Sequence, residues 1–345
     1  MAFSLENRLK ERALALGFEL AGIASAQPAD TFDRLRAWLD QGYAGAMDYM
    51  VRHALARRHP SSILPNVRSV VMVGMNYSRQ SAAGSRQSSA QVARYARGLD
   101  YHRVLRKKLK LLLEWLQAEV PGCHGRCVVD TAPLLERDFA RRAGLGWFGK
   151  NTMLLNRRLG SYFFLGALLL DIELKPDAVH ETSHCGTCTA CLDACPTQAF
   201  PTPGQLDSRR CISYLTIELR GPIDKELRPL MGDWLFGCDV CQEVCPWNRK
   251  ASASDEPAWQ ARPDLESIDH KELLGLSDEE FRRRFRGTAF LRTGRGGLLR
   301  NAAIVLGNQG NSAALPSLRR ALEDHDPVVR EAAQWAIDQI EGIDN

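Results

Sequence analysis

Apolar residues in the first part of the chain alternate between helical and strand spacing. In residues 5–16 they recur every three or four positions, which places them on one face of a helix that ends at Gly17. The same spacing predicts a second helix at 31–41. Short apolar and β-branched runs predict strands at 17–23 and 69–77. Helices and strands therefore interleave from the start of the chain.

This interleaving continues to about residue 175. The next predicted elements are helices at 101–120 and 134–143 and strands at 126–130 and 161–174. The longest apolar run, 162–170, is too short to cross a bilayer and predicts a buried strand. Residues 79–91 are rich in Ser, Ala and Gln, which is typical of a flexible loop. We therefore predict a first domain of α/β or α+β type at 1–175.

Helical spacing returns near the C-terminus, after a predicted linker at 257–269. The sequence LRNAA at 299–303 is similar to VREAA at 329–333, a period of about one helical pair. Before the second copy, Asp326 can cap a helix and Pro327 can begin it. Two such HEAT-like copies cannot form a solenoid alone, so we expect them to pack against the rest of the chain.

The overall composition is that of an ordinary globular protein. The chain has 345 residues, of which 45% are hydrophobic and 25% charged, and a net charge of +4. This length suffices for two or three domains. The N-terminal sequence lacks the apolar core and cleavage site of a signal peptide. We therefore expect a cytoplasmic protein with no membrane attachment, and the modest apolar content favours a monomer.

Cysteine spacing carries the strongest chemical signal. Eight of the ten cysteines lie between 185 and 245, in CGTCTACLDACP, a lone cysteine and CDVCQEVCP. Three thiolates spaced C-x2-C-x2-C hold one iron–sulfur cube, and the Cys-Pro cysteine that follows serves the other cube. This crossover rule predicts two [4Fe-4S] clusters. The first is held by Cys185, Cys188, Cys191 and Cys245, and the second by Cys195, Cys211, Cys238 and Cys241.

Disulfides and zinc are the alternative explanations of this spacing. Disulfides need an oxidising compartment, and the sequence contains no signal that directs it to one. Zinc sites prefer two C-x2-C pairs at a separation that this stretch does not keep, and they do not require a Cys-Pro. The pattern departs from a simple ferredoxin only in the long insertion at 212–237. We therefore predict an α+β multidomain protein with an α/β domain at 1–175, a bacterial two-[4Fe-4S] ferredoxin-like domain at 176–250 and a small all-α HEAT-like domain at 251–345.

Four further stretches identify a family. They are CVVDTAP at 127–133, GLGWFGKN at 144–151, RCISYLTIE at 210–218 and GCDVCQEVCPWN at 237–248. Together they resemble the epoxyqueuosine reductase family, over nearly the full length of the chain. The resemblance implies a cobalamin-dependent iron–sulfur enzyme. Such an enzyme reduces the epoxide of epoxyqueuosine, at the wobble position of tRNA, to queuosine, and takes electrons from a low-potential donor that the sequence does not identify.

The resemblance also implies a role for Asp130. Opening an epoxide requires a proton for the departing oxygen, and the family match makes Asp130 the proton donor. Because Asp130 ends an apolar strand, we expect burial to raise its pKa and to keep it protonated near neutral pH. The competing interpretation is a helix-capping aspartate before Pro133.

Cobalamin contacts are predicted from position in the family pattern. Besides Asp130, they are Arg57, Lys150, Asn151, Leu154, Leu165 and Ser213. For each, an ordinary structural role in a loop, a helix cap or the core is an open alternative. The cobalt-ligating pattern D-x-H-x-x-G begins at Asp100 and His102, but Leu105 replaces its glycine. We therefore expect no protein histidine on cobalt, and we expect His102 to be a surface or helix-start residue.

Two clusters of cations could bind the phosphates of RNA. One contains Arg282, Arg283, Arg284, Arg286, Arg292, Arg295 and Arg300, and the other contains Arg103, Arg106, Lys107, Lys108 and Lys110. A solvated helix face is the ordinary alternative. The tRNA substrate is thus implied by the family and not by composition.

Two other functions stay open at this point. A corrinoid iron–sulfur reductive dehalogenase would have no use for the arginine-rich segment, and it would usually carry a twin-arginine signal, which the sequence lacks. A non-catalytic iron–sulfur electron-transfer module would leave the first 175 residues and the VDTAP stretch without a purpose.

Overall fold

The structure, a computed structural model, describes residues 4–79, 91–266 and 268–342. The strands of these ranges are β1 (Leu20–Ser25), β2 (Ser69–Asn76), β3 (Gln91–Val92), β4 (Gly125–Val128), β5 (Trp147–Phe148), β6 (Leu154–Leu155), β7 (Phe163–Leu170) and β8 (Trp234–Phe236). The predicted loop at 79–91 lies, except for its end residues, outside the described residues.

Most helices are short, and the long ones belong to the first domain and the C-terminal region. The helices are α1 (Leu5–Ala15), α2 (Phe32–Asp40), α3 (Asp48–Arg52), α4 (Tyr101–Glu119), α5 (Glu136–Arg142), α6 (Ala190–Asp193), α7 (Ile212–Ile217), α8 (Val240–Glu243), α9 (Pro263–Glu266), α10 (His270–Leu273), α11 (Asp278–Arg284), α12 (Gly294–Gln309), α13 (Leu315–Ala321) and α14 (Pro327–Glu341). Short 3-10 helices include Leu55–Arg58, Pro60–Ser62 and Ala289–Arg292. Across the described ranges, none of the helices has both the length and the apolar character needed to span a bilayer.

A four-stranded antiparallel sheet forms the centre of the first domain, in the order β1-β2-β7-β4. Every residue of β2 is buried, because helices cover both faces of the sheet. Val71 and Val73 face a core that includes α1 and α4, while Val70 and Met72 face the core that includes α5. This alternation follows from the two-residue period of a strand.

Helix α4 positions the site described below. Leu105, Leu109, Leu112 and Leu116 are fully buried, at the spacing of one helix face. The Asp100 carboxylate accepts a hydrogen bond from the His102 N–H and caps the first turn. The predicted helix at 101–120 is therefore confirmed, with its N-terminus at the end of the sheet that carries Asp130.

The insertion at 212–237 packs with the C-terminal helices. Its α7 and β8 share one hydrophobic core with α10, α12, α13 and α14, and β8 pairs in parallel with β3. The repeat helices α12 and α14 approach closely at Gly307. A Cβ at this position would lie only 2.8 Å from the Trp335 ring, so the contact requires glycine. Within the predicted linker at 257–269, Trp259 is packed against the first domain, since it is 4% exposed and contacts Phe164.

Candidate active site

Asp130 follows β4 in a strained backbone conformation. Its φ of 52° is in the left-handed region, which a non-glycine residue adopts only when its surroundings hold it there. The Asp130 N–H donates to the Glu136 carboxylate at 2.7 Å, across the turn that leads into α5. Asp130 does not cap a helix, because α5 begins six residues later with Leu135 as its N-cap.

Three donors converge on one oxygen of the Asp130 side chain. Oδ2 accepts hydrogen bonds from the Tyr101 hydroxyl at 2.8 Å, Arg292 Nη1 at 3.1 Å and His102 Nε2 at 3.2 Å. Within the described part of the chain, Oδ1 has no hydrogen-bond partner. Arg292 also pairs with Glu218 at 3.2 Å. The second carboxylate oxygen is therefore the one available to a ligand.

This arrangement contradicts the expectation that Asp130 is protonated near neutral pH. Burial acts to raise its pKa, but the His102 hydrogen bond and the Arg292 charge outweigh burial and lower the pKa well below its ordinary range. The side chain is also 39% exposed, so burial is incomplete. The sequence showed the apolar strand before Asp130 but not the cations that the fold brings to it.

His102 holds the proton that was expected on Asp130. Burial acts to lower its pKa, but hydrogen bonds to Asp100 and Asp130 raise it to about 9. Its Nδ1 lies 2.7 Å from Asp100 Oδ1, so both ring nitrogens have carboxylate partners. The prediction of a surface or helix-start residue is confirmed at the helix start, where the side chain is 16% exposed.

Glu136, Tyr101 and Arg292 were not predicted as neighbours of Asp130. Burial and the nearby Asp130 charge raise the pKa of Glu136, so this carboxyl is more readily protonated than Asp130. An acid in the first turn of a helix six residues after Asp130 was the only sequence signal for Glu136. Arg292 is 162 residues from Asp130 in sequence, and no local pattern could have joined them.

The predicted ligands of the first cluster line one cavity of about 270 Å³. Cys185, Cys188, Cys191 and Cys245 all contribute to its wall. Lys150 lies there too, and its Nζ donates to the carbonyls of Gly186 and Cys188 at 2.7 and 2.9 Å. Burial and the neighbouring thiols of Cys245 and Cys185 raise the pKa of Cys191 to about 11. The cavity thus gathers the four thiols that the crossover rule groups together.

The second predicted set is also close in space. Burial raises the pKa of Cys238, and the charges of Cys211 and Cys195 raise it further. Burial likewise raises the pKa of Cys241, and the charges of the nearby Cys211 and Cys238 raise it further. Cys211 and Cys238 pack against the core that the insertion shares with the C-terminal helices. All four thiols of this set are half-buried, whereas the first set contains the exposed Cys188 and the buried Cys245.

The predicted cobalamin contacts lie in different surroundings. Arg57 is near Asp130 and Glu136. Burial has the largest effect on the pKa of Arg57 and lowers it, while the charges of Glu136 and Asp130 act to raise it. Leu165 is partly buried on β7, and Leu154 is 3% exposed in the same core. Ser213 is in α7, two residues after Cys211. Asn151 is 3% exposed and donates to the Cys241 carbonyl at 3.2 Å.

The arginine-rich segment has structural as well as exposed members. Arg300 is fully buried and donates to the carbonyls of Leu215, Leu219 and Gly221, so the expectation that it binds phosphate was wrong. Arg295 is 8% exposed and pairs with Asp324. In contrast, Arg282, Arg283 and Arg286 are exposed. Only part of this cluster is therefore available to a nucleic acid.

Three family models match successive parts of the chain. They are epoxyqueuosine reductase QueG, DUF1730, at residues 57–131, the 4Fe-4S double cluster binding domain at 184–248, and HEAT repeats at 289–344. The first match ends one residue after Asp130, and the second contains all eight predicted cluster ligands. The predicted double-cluster domain and HEAT-like helices are thus confirmed.

Full-length relatives agree with these matches. The epoxyqueuosine reductases of Pseudomonas aeruginosa and Escherichia coli are 44% and 42% identical to this chain; the alignments cover 96% and 97% of this chain and 94% and 89% of those proteins. A crystal structure of epoxyqueuosine reductase with an epoxyqueuosine-modified tRNA-Tyr stem loop is similar, at 35% identity and a TM-score of 0.90 over 97% of this chain and 90% of that one. So is the Bacillus subtilis enzyme with its catalytic aspartate loop swung out of the active site, at 34% identity and a TM-score of 0.89 over the same shares. This chain belongs to the epoxyqueuosine reductase family.

Proposed function

We propose that this protein reduces the epoxide of epoxyqueuosine, at the wobble position of tRNA, to queuosine, the last step of queuosine biosynthesis. The observation that carries the proposal is the Asp130 site: a carboxylate with one free oxygen, next to a protonated histidine, in a chain that contains a double-cluster domain. The similar structure that holds an epoxyqueuosine-modified stem loop supports the choice of substrate.

Electrons would enter at the first cluster and leave from the second. We assign Cys185, Cys188, Cys191 and Cys245 to one [4Fe-4S] cluster and Cys195, Cys211, Cys238 and Cys241 to the other. The exposure of Cys188 supports entry at the first cluster from a low-potential donor protein. Cys211 packs against the insertion, which contains Ser213 and Glu218. Glu218 pairs with Arg292, a partner of Asp130, and this connection supports exit of electrons from the second cluster.

The residues around Asp130 suit cobalamin. Val51 and Leu55, on the segment that leads to Arg57, are 61% and 77% exposed, and exposed apolar side chains beside a polar site are typical of a ligand surface. A corrin needs such an apolar face with polar groups at its rim. Both ring nitrogens of His102 are engaged, which agrees with cobalamin bound without this histidine on cobalt. Arg57, Lys150, Asn151, Leu154, Leu165 and Ser213 would hold the corrin together with Asp130.

Bound cobalamin would supply two-electron chemistry at the epoxide carbon, because iron–sulfur clusters carry one electron at a time. Removal of the epoxide oxygen consumes two electrons and two protons and releases water while the carbon–carbon double bond forms. The residues of this chain would therefore supply one proton to the oxygen as its bond to carbon breaks, and the second proton would come from solvent.

His102 and Asp130 would deliver this proton together. At neutral pH the proton is on His102, and Nε2 is 3.2 Å from Asp130 Oδ2. As negative charge develops on the substrate oxygen beside the carboxyl group, the proton would pass from Nε2 to Asp130 Oδ2. The carboxyl group would then turn about its Cβ–Cγ bond and give this proton to the substrate oxygen. Asp100 would stabilise the imidazolium at Nδ1. Asp130 thus acts as the proton donor although it is ionised at rest.

The cellular setting follows from this chemistry. Reduced clusters require a reducing compartment and tRNA is a cytoplasmic substrate, so we infer that the protein acts in the cytoplasm. The modest apolar content of the chain supports a monomer.

An anaerobic assay on tRNA that carries epoxyqueuosine tests the proposal. With reduced clusters and added cobalamin, we expect conversion to queuosine, and without cobalamin we expect none. No conversion by protein with intact clusters and bound cobalamin would contradict the proposal.

A further inference from the structure

A cleft of about 350 Å³ lies behind the segment that carries Asp130. Its lining comes from β4, from Val129 and residues 131–133, from the turn at Ser62 and Ile63, and from Arg106 of α4. Ile63 and Val128 are buried and form part of its wall. Its charged groups are Arg106 and Arg126, and no acidic residue of the described ranges contributes to the lining. The cleft is therefore electropositive.

Most of the donors of the two guanidinium groups are unused. Arg106 Nη2 donates to the Thr131 hydroxyl at 2.6 Å, and Arg126 Nη1 donates to the Ile63 carbonyl at 3.2 Å. Each guanidinium has five N–H donors. Neither arginine forms an ion pair with another described residue, and both side chains are exposed. Two unpaired guanidinium groups beside a hydroxyl provide the donors that phosphate oxygens prefer.

The cleft continues a line of cations from the arginine-rich segment. Arg103, one turn before Arg106 on α4, is next to Gly287, since a Cβ on Gly287 would be 3.9 Å from its Nη1. Exposed Arg286 precedes that glycine. Arg286, Arg103, Arg106 and Arg126 therefore follow one another past the Asp130 site, and each is exposed and without an ion pair among the described residues.

We propose that this cleft binds a phosphodiester group of the substrate RNA strand, on the opposite side of the 129–133 segment from the wobble nucleotide. This inference rests on the proposed tRNA substrate and adds to it a definite anchoring point. Because Arg106 also donates to Thr131, the residue after Asp130, a phosphate bound by Arg106 and Arg126 fixes the position of the segment that carries Asp130. RNA binding and the placement of Asp130 are thereby linked.

The test measures the salt dependence of RNA affinity. The dissociation constant of a labelled anticodon stem loop carrying epoxyqueuosine is measured by fluorescence anisotropy at a series of KCl concentrations. In Arg126→Gln and in Arg106→Gln we expect affinity to fall about three- to tenfold at low salt. The slope of log affinity against log salt should fall by about 0.7–1, since one phosphate contact is lost. Arg126→Lys keeps the charge and should keep the slope.

Arg12→Gln is the matched control. Arg12 is also exposed and without an ion pair among the described residues, but it is on α1, which packs against β1 at the edge of the sheet opposite to β4. We expect the wild-type slope for this variant. Wild-type slopes in both Arg106→Gln and Arg126→Gln would overturn the proposal.

Two further arms separate related possibilities. Calorimetric titration with inorganic phosphate at constant ionic strength tests for a free-phosphate site. One outcome would reassign the cleft to free phosphate and overturn the RNA proposal. In that outcome, wild-type protein releases heat on binding phosphate, Arg126→Gln does not, and the salt dependence of RNA affinity is the same in both. Reduction of the same stem loop by wild-type protein tests the proposed function itself. If wild-type protein reduces the RNA but the two arginine variants keep the wild-type slope, only the proposal for the cleft is overturned. If wild-type protein neither binds nor reduces the RNA, both the cleft proposal and the proposed function are overturned.

Discussion

At the scale of single residues, the site is defined by how charge is shared around one carboxylate oxygen. Asp130 Oδ2 accepts from a histidine, an arginine and a tyrosine, and these donors stabilise its ionised form. The compensating proton is held by His102. We therefore propose that the acid of the site is the pair of His102 and Asp130 and not a single residue.

His102→Gln tests this pair. Glutamine can donate a hydrogen bond to Asp130 but carries no transferable proton, so we expect the rate of epoxide reduction to fall about 10²–10⁴-fold. In wild-type protein, the protonated form of His102 is present below its pKa of about 9. Activity should therefore be lost as pH rises through about 9.

The pH profile of His102→Gln distinguishes catalysis from a structural role. We expect its remaining activity to lack the alkaline decline near pH 9, because the group that titrates there is absent. A variant that lost activity but kept the wild-type profile would assign His102 a purely structural role.

The sequence predicted Asp130 but not its partners. The VDTAP stretch marked the residue, yet its charge state depends on Arg292, which only the folded chain brings near. Tyr101 and His102 were visible as the start of a helix. Their contact with Asp130 depends on how α4 packs across the sheet, which periodicity alone does not specify.

At the scale of elements, the turn between β4 and α5 holds Asp130 in place. The strained backbone of Asp130 is fixed by the hydrogen bond from its N–H to Glu136, the first residue of α5. Because the pKa of Glu136 is raised, the residue can serve as an acceptor without a charge.

Glu136→Gln and Glu136→Leu separate the hydrogen bond from the charge. Glutamine keeps the acceptor, so we expect activity within about threefold of wild type. Leucine leaves the Asp130 N–H unpaired, at a cost of about 1–3 kcal/mol in the local structure, and we expect activity to fall at least tenfold. Steady-state rates of epoxide reduction check both, and equal rates in the two variants would refute the positioning role.

Arg300 has a comparable structural role in the C-terminal region. Its guanidinium joins α12 to three backbone carbonyls around α7. Arg300→Met should lower the free energy of unfolding by about 3 kcal/mol or more, because buried acceptors lose their donors. Arg319→Met, which removes an exposed ion pair with Glu341, should change it by less than about 1 kcal/mol.

Urea unfolding followed by circular dichroism measures both variants. An Arg300→Met variant as stable as wild type would show that these hydrogen bonds contribute little to the fold.

Regular elements were predictable where burial is periodic. The leucine spacing of α4 and the apolar run of β7 set their positions to within a few residues. The arginine-rich segment was less predictable, because exposed and buried arginines have the same sequence pattern. The buried Arg300 satisfies its charge with carbonyl oxygens, which no sequence motif reveals.

At the scale of the whole molecule, the candidate active site is assembled from all three regions. The first domain supplies Asp130 and His102, the insertion within the cluster region supplies Glu218, and the C-terminal region supplies Arg292. The insertion shares its core with the C-terminal helices and pairs with β3. The sequence predicted these three regions. Their boundaries, 1–175, 176–250 and 251–345, stay a prediction, since the insertion of the second region packs in one core with the helices of the third.

The most direct test of this account is single-turnover reduction of epoxyqueuosine-containing tRNA by wild-type protein and Asp130→Asn, each with cobalamin and reduced clusters. Asparagine cannot pass a proton from His102 to the substrate, so we predict a rate at least about 100-fold lower for Asp130→Asn. Its iron content and cluster absorbance should match wild type, because Asp130 is not a cluster ligand. Queuosine formation by Asp130→Asn at the wild-type rate would contradict the account.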